Sequence, residues 1–263
     1  MKQEGTDFSK QINILGEFCG MRDVTSLTQQ ALRSKFGMEQ ADIMVLFGGS
    51  ILCGGDVLAE AIREKVAKKY IIVGGAGHTT QTLRDRMKRE LPQMDTEGKT
   101  EAWLFAEYIR LKYNLEPDFL ECESTNCGNN ITYLLKLIAD KKLACKSIIL
   151  SQDATMQRRM YAVLKKYEPE LLVINYATYN AEVVWEKNEM HYANQILGMW
   201  DMDRYISLLM GEIPRLTDDE NGYGPKGKDF IAHMDIPQSV QEAFADLKKE
   251  YEVREANPLY ASR

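Results

Sequence analysis

Two apolar runs, ADIMVLFGGS at 41–50, with Asp42 near its start, and YIIVGGAGH at 70–78, each break off in glycines. Runs this short, with no polar residue on alternate positions, predict strands covered on both faces, the environment of a parallel sheet. The segment between them, DVLAEAIREKVAKK at 56–69, carries apolar residues at helical spacing, so a helix is predicted to cross over from one strand to the next. Three further short runs repeat the pattern: DFLEC at 118–122, KSIILSQD at 146–153 and LLVINY at 171–176. Helical stretches separate them, TLRDRMKREL at 82–91, TEAWLFAEYIRLKYNL at 100–115 and NNITYLLKLIADKKL at 129–143.

Five strands joined by helices predict an α/β fold, a Rossmann-like three-layer sandwich with about five parallel strands. A Rossmann-like domain is expected over 37–180. Residues 181–263 read as a mainly helical region, with 1–36 packed on it or on the sheet edge, and NQILGMWDMDRYISLLMGE at 194–212 is its clearest helix. The composition, 44% hydrophobic and 27% charged, is that of a folded globular chain. A net charge of −6 offers no global attraction for nucleic acid or anionic lipid. No apolar run approaches the roughly 18 to 20 residues of a membrane span, and MKQEGTDFSKQ lacks a signal-peptide core, so a cytoplasmic protein is expected. Five cysteines without a CxxC pair fit reduced thiols.

In such a sheet, functional residues gather beyond the carboxyl ends of the strands, and that is where the polar clusters fall. After the first strand, FGGSILCGGD places Gly49 and Gly54 at P-loop spacing, but Gly55 and Asp56 stand where Lys and Ser/Thr would hold phosphate and magnesium. Walker-type hydrolysis is excluded, and the GxGxxG fingerprint of dinucleotide binding is missing. What survives is a glycine turn with Ser50, made for a ligand or for tight packing. After the second strand, VGGAGHTTQ supplies Gly74, Gly75 and His78, with Thr79 or Thr80 as a helix cap. After the third, ESTNCGNN puts Glu123 at the strand end, Ser124, Thr125 and Asn126 at cap positions and Cys127 and Asn130 in the first helical turn. A helix N-terminus would favour a Cys127 thiolate, yet no His or Asp lies nearby in sequence to serve as base, and packing is the plainer role. No cysteine or histidine spacing suggests a metal. After the fourth strand, SQDATMQRR offers Gln152 and Asp153, then Arg158 and Arg159 for a carboxylate or phosphate.

These segments in this order, together with a helix carrying Glu101 and the stretch MDRYISLLMGEIPRLTDDENGYGPKGKDFIAHMDIP at 202–237, resemble the bacterial family called domain of unknown function 218, and within it the YdcF-like proteins. The similarity covers nearly the whole chain. It implies a Rossmann-like domain with a helical second region and, for the YdcF-like branch, binding of S-adenosylmethionine. The positions it marks are Gly48, Gly49, Ser50, Gly74, Gly75, His78, Glu101, Glu123, Ser124, Asn126, Asn130, Gln152, Asp153, Arg158 and Arg159. More distant members often carry Thr near Cys127 and His near Asp153.

The leading expectation is a protein that binds a small polar or nucleotide-type ligand across the strand ends, with Glu123, Asp153 and Glu101 as catalytic candidates. S-adenosylmethionine is the cofactor that the resemblance implies. A hydrolase or transferase acting on a phosphorylated or envelope-related metabolite is the alternative, and a non-catalytic sensor with the 217–229 loop as lid or docking surface is a third. Glu123 and Asp153 are expected to bind ligand groups without supporting the fold.

Overall fold

The computed structural model describes residues 6–77 and 79–254. In chain order its elements are α1 (Ser9–Cys19), α2 (Gln29–Phe36), β1 (Ala41–Phe47), α3 (Cys53–Arg63), β2 (Ala67–Val73), α4 (Thr80–Glu90), α5 (Glu101–Tyr113), β3 (Phe119–Glu121), α6 (Cys127–Asp140), β4 (Ser147–Ser151), α7 (Gln157–Tyr167), β5 (Leu172–Asn175), β6 (Val183–Glu186), β7 (Glu189–Tyr192), α8 (Met202–Leu216) and α9 (Gln238–Leu247). The five central strands are all parallel and ordered β3-β2-β1-β4-β5. The chain reverses its direction of travel across the sheet between β1 and β4, and a crevice opens at that switch point beyond the strand ends.

The apolar strands sort their side chains by the two-residue period of a β-strand. Ile43, Val45 and Phe47 of β1 face one layer, where they meet α1, α6, α7, α8 and α9 through residues such as Ile12, Leu134, Met160, Ile206 and Val240. Met44 and Leu46 face the other, against Leu32 of α2, Leu58 of α3, Leu83 of α4 and Phe105 of α5. The result is the expected three-layer α/β sandwich. The C-terminal helices share the core of the α6/α7 layer, and α1 links them to it by packing on α7, α8 and α9.

Two features of the C-terminal region depart from the sequence reading. Residues 183–192 form an antiparallel hairpin, β6 with β7, whose turn places Lys187 and Asn188 at φ of 54° and 62°. Lys-Asn lacks the glycine that most strongly marks such turns in a sequence. The helix expected from residue 194 begins only at Met202. Gly198 adopts φ of 77°, and Asp201 caps the helix by accepting the Arg204 N–H at 2.8 Å. The loop before that cap crosses back to the sheet, where the Cys53 N–H donates to the Leu197 carbonyl at 3.2 Å. Trp200 is thereby carried to the rim of the crevice. Among the described residues no helix is long and apolar enough to cross a membrane.

Candidate functional site

The crevice is a cavity of about 180 Å³ lined by the ends of β1, β2 and β4, the first turns of α5 and α6, and one face of α8. Its floor is built from the glycine turns. Gly48 N–H continues the sheet by donating to the Val73 carbonyl at 2.6 Å, and Gly74 and Gly75 donate to the Glu121 and Ser124 carbonyls at 2.9 and 3.0 Å. The first amides of α5, which have no partner inside the helix, are satisfied by the same loop: Glu101 and Ala102 donate to the Gly75 and Gly74 carbonyls at 3.0 and 2.8 Å. Thr100 caps α5 by accepting from Trp103 N–H. Glu101 is therefore laid across the turns, and a Cβ at position 48 would sit 2.5 Å from its Oε2. Glycine at 48 serves the approach of Glu101.

Glu101 Oε1 accepts the Thr80 hydroxyl at 2.8 Å, and Thr80 in turn accepts the Gly77 N–H at 2.7 Å. Burial pushes the Glu101 carboxyl above the ordinary range, against the opposing pull of Thr80 and of Arg84. A carboxyl held this way is an acid-base candidate.

Asp153 lines the cavity, but the fold uses its oxygens. Oδ1 accepts from the Thr155 N–H, the Thr155 hydroxyl and the Tyr179 hydroxyl at 2.9, 2.8 and 2.7 Å, while Oδ2 accepts from Trp200 Nε1 at 3.2 Å. Gln152 bridges β4 to the first glycine turn through Nε2 and the Gly48 carbonyl at 3.2 Å. Ser50 is fixed by its hydroxyl on the Thr79 carbonyl at 3.3 Å, and its own carbonyl accepts from Arg86 at 2.6 Å. Arg86 then lies over the Trp200 ring, 4.5 Å from its centroid.

The opposite wall is cationic. Asn126 caps α6 by accepting the Asn129 N–H at 3.0 Å, and the helix turns its N-terminal end and Asn130 to the cavity. Beside it Arg159 makes a bidentate ion pair with Glu212, Nε to Oε2 at 2.6 Å and Nη2 to Oε1 at 2.9 Å, with side chains only 13% and 5% exposed. Its Nη1 reaches the Cys127 sulfur at 3.1 Å. Burial raises the Cys127 thiol despite that arginine, which speaks against a thiolate nucleophile. Arg204, Arg215 and Arg254 complete the wall with Trp200, Leu208 and Tyr223.

Of the marked positions, Gly48, Gly49, Ser50, Gly74, Gly75, Glu101, Ser124, Asn126, Asn130, Gln152, Asp153 and Arg159 all line this cavity. His78 lies outside the described residues. Glu123 and Arg158 are corrections. The strand ends at Glu121, so Glu123 falls in the turn and is exposed to solvent away from the cavity. The inward carboxylate is Glu121, which accepts the N–H groups of Glu123 and Ser124 at 2.6 and 3.1 Å and so shapes the turn. Arg158 is turned to α1, donating to the Phe18 carbonyl and lying 4.0 Å over the Phe18 ring. Adjacent residues on a helix point about 100° apart, and only Arg159 has the inward direction.

Sequence reasoning missed Trp200, Arg204, Glu212, Arg215, Tyr223 and Arg254. One signal was present: Arg204, Leu208, Glu212 and Arg215 follow i, i+4, i+8, i+11 spacing and so share a face of α8. A search against models of known protein families finds none that matches this chain.

Proposed function

We propose that the protein binds a small phosphate-bearing metabolite in the crevice and acts on it by hydrolysis or group transfer. The observation that carries this reading is the convergence of four arginines with the N-terminus of α6 on one wall, where Glu212 is the facing carboxylate. Arginine forks suit phosphate, and a helix N-terminus adds favourable dipole and unpaired amides. Across the cavity Glu101, raised by burial, supplies a carboxyl that can give a proton to a leaving group or take one from a nucleophile. The arginines would neutralise charge that grows on the phosphate during reaction. Cys127 is a packing residue beside Arg159.

S-adenosylmethionine, which the resemblance to YdcF-like proteins implies, is the second ligand to weigh. Its carboxylate suits the arginine wall. Its sulfonium and ammonium would need acceptors, and of the carboxyl groups lining the cavity Asp153 is already engaged by four donors, Glu212 by Arg159, and Glu101 accepts from Thr80 while burial favours its neutral form. The donor set fits that molecule in part, so the arginine wall favours phosphate.

Calorimetric titration with a phosphomonoester panel, S-adenosylmethionine, S-adenosylhomocysteine, ATP and NAD separates these readings. Saturable binding of phosphate compounds that weakens steeply with salt is expected, together with turnover that falls about 10²-fold or more in Glu101→Gln while binding persists. Binding of S-adenosylmethionine alone would overturn the phosphate reading. Binding of phosphate compounds with no turnover of any would leave a sensor and remove Glu101 from chemistry.

A further inference from the structure

Resting on the phosphate reading, we propose that the ligand carries a diphosphate, two linked phosphoryl groups, held by Arg204, Arg215 and Arg254 against the first turn of α6. The charge arrangement on the cavity wall is specific. Glu212 answers Arg159 with both of its oxygens. The Asp153 oxygens accept from Trp200 and Tyr179, and Arg86 lies over the ring of the same tryptophan. Among the described residues no carboxylate lies within ion-pair distance of Arg204, Arg215 or Arg254.

Three guanidinium groups, none with an ion-pair partner among the described residues, are gathered on one wall. Burial lowers the Arg254 pKa, with Arg204 and Arg215 adding to that effect and Glu212 opposing it. Arg215 also donates to the backbone carbonyls of Gly211 and Arg254, which ties the C-terminal segment to α8 and keeps two of the three arginines adjacent. Arg159 touches Cys127 in the first turn of α6, and it lines the same cavity as Arg204, Arg215 and Arg254, so the positive features border one space. A phosphomonoester brings about −1.5 to −2 charge at pH 7, and a second phosphoryl group, joined through a bridging oxygen, brings more charge and a second set of acceptor oxygens. A contiguous wall suits linked phosphoryl groups better than two anions on distant arms of a ligand. A monophosphate could give one terminal oxygen to each of the three guanidiniums, and a second phosphoryl group supplies the further acceptors that the first-turn amides of α6 can meet.

The experiment is titration of the full chain, in EDTA, with inorganic orthophosphate and inorganic pyrophosphate, then with AMP and ADP. Pyrophosphate is expected to bind at least about tenfold more tightly than orthophosphate, and ADP than AMP, the margin of an added charge-assisted contact. Arg204→Gln should remove most of that margin while changing orthophosphate affinity by less. Arg204 makes no side-chain hydrogen bond among the described residues and lies over the Trp200 ring, 5.6 Å from its centroid, a contact weak enough that this variant should melt close to wild type. Arg215→Gln is the second variant, checked for folding by circular dichroism. Equal affinity for orthophosphate and pyrophosphate would overturn the diphosphate assignment and leave the phosphate site standing. A pyrophosphate preference undiminished in both arginine variants would overturn it as well. Binding of neither anion at millimolar concentration would remove the phosphate reading itself.

Discussion

Glu212→Ala would leave Arg159 buried without its carboxylate. Both side chains are largely removed from solvent, at 13% and 5% exposure, and the pair is bidentate. Breaking such a pair from one side costs about 3–5 kcal/mol, because the surviving charge keeps its desolvation penalty. The neighbouring Arg204, Arg215 and Arg254 add repulsion that solvent screens only in part. For a chain of this size each kcal/mol lowers the melting temperature by roughly 2–4 °C, so a fall of about 6–20 °C is expected by circular dichroism. Two companions locate the cause. The double variant Arg159→Met with Glu212→Met, which removes both charges and keeps apolar volume, should melt close to wild type. Because an anion can take the place of the lost carboxylate on Arg159, Glu212→Ala should bind pyrophosphate more tightly than wild type, and at a fixed pyrophosphate concentration its melting temperature should rise by more. A single variant within about 1 kcal/mol of wild type, or a double variant as unstable as the single, would refute this account of the cationic wall.

Four further outcomes test the site. Because the fold raises the Glu101 pKa, the protonated form is the one it favours: Glu101 contributes stability that is fully present below its unfolded pKa and is lost as pH rises through the folded value. Glu101→Gln should therefore melt increasingly above wild type as pH climbs from about 4 through that window, then hold a constant margin; a margin independent of pH would place Glu101 in a solvated setting. Asp153→Asn turns an amide NH₂ toward groups that all donate, so a loss of about 1–3 kcal/mol in urea denaturation is expected; an unchanged midpoint would mean that the Thr155, Tyr179 and Trp200 contacts carry no weight. Glu123→Gln should leave anion affinity within about twofold, as expected of a solvent-exposed side chain, and a larger loss measured by calorimetry would return Glu123 to the site. Gly75→Ala drives a methyl group into the Ser124 carbonyl and should cost about 1–3 kcal/mol, and wild-type stability would show that the two loops separate freely.

The period of the apolar residues and the glycines that stop them were enough to place five parallel strands and to predict a site at their carboxyl ends. These are local signals: an apolar run such as 43–47 can be buried on both faces only in a sheet covered by helices, and close approach of another segment to the backbone at a strand end is written in the sequence as glycine. The same locality explains why Ser50, Asn126, Gln152 and Asp153 were legible as cavity residues, since each follows its strand by only a few positions. Tertiary structure decided what those residues do. Asp153 looks like a free ligand group in sequence, yet Tyr179 and Trp200, 26 and 47 positions away, occupy its oxygens. Glu121 and Glu123 differ by two residues, and the end of β3 between them determined which carboxylate is inward. Arg158 and Arg159 are neighbours in sequence, and the docking of α1 on one side of α7 and α8 on the other sent them to different partners. The arginines of α8 and Arg254 reach the site only because the C-terminal helices share the α6/α7 core. No local pattern encodes which faces of two helices will meet, because that depends on the summed burial of residues far apart in the chain; the charged lining of this crevice is set by those contacts.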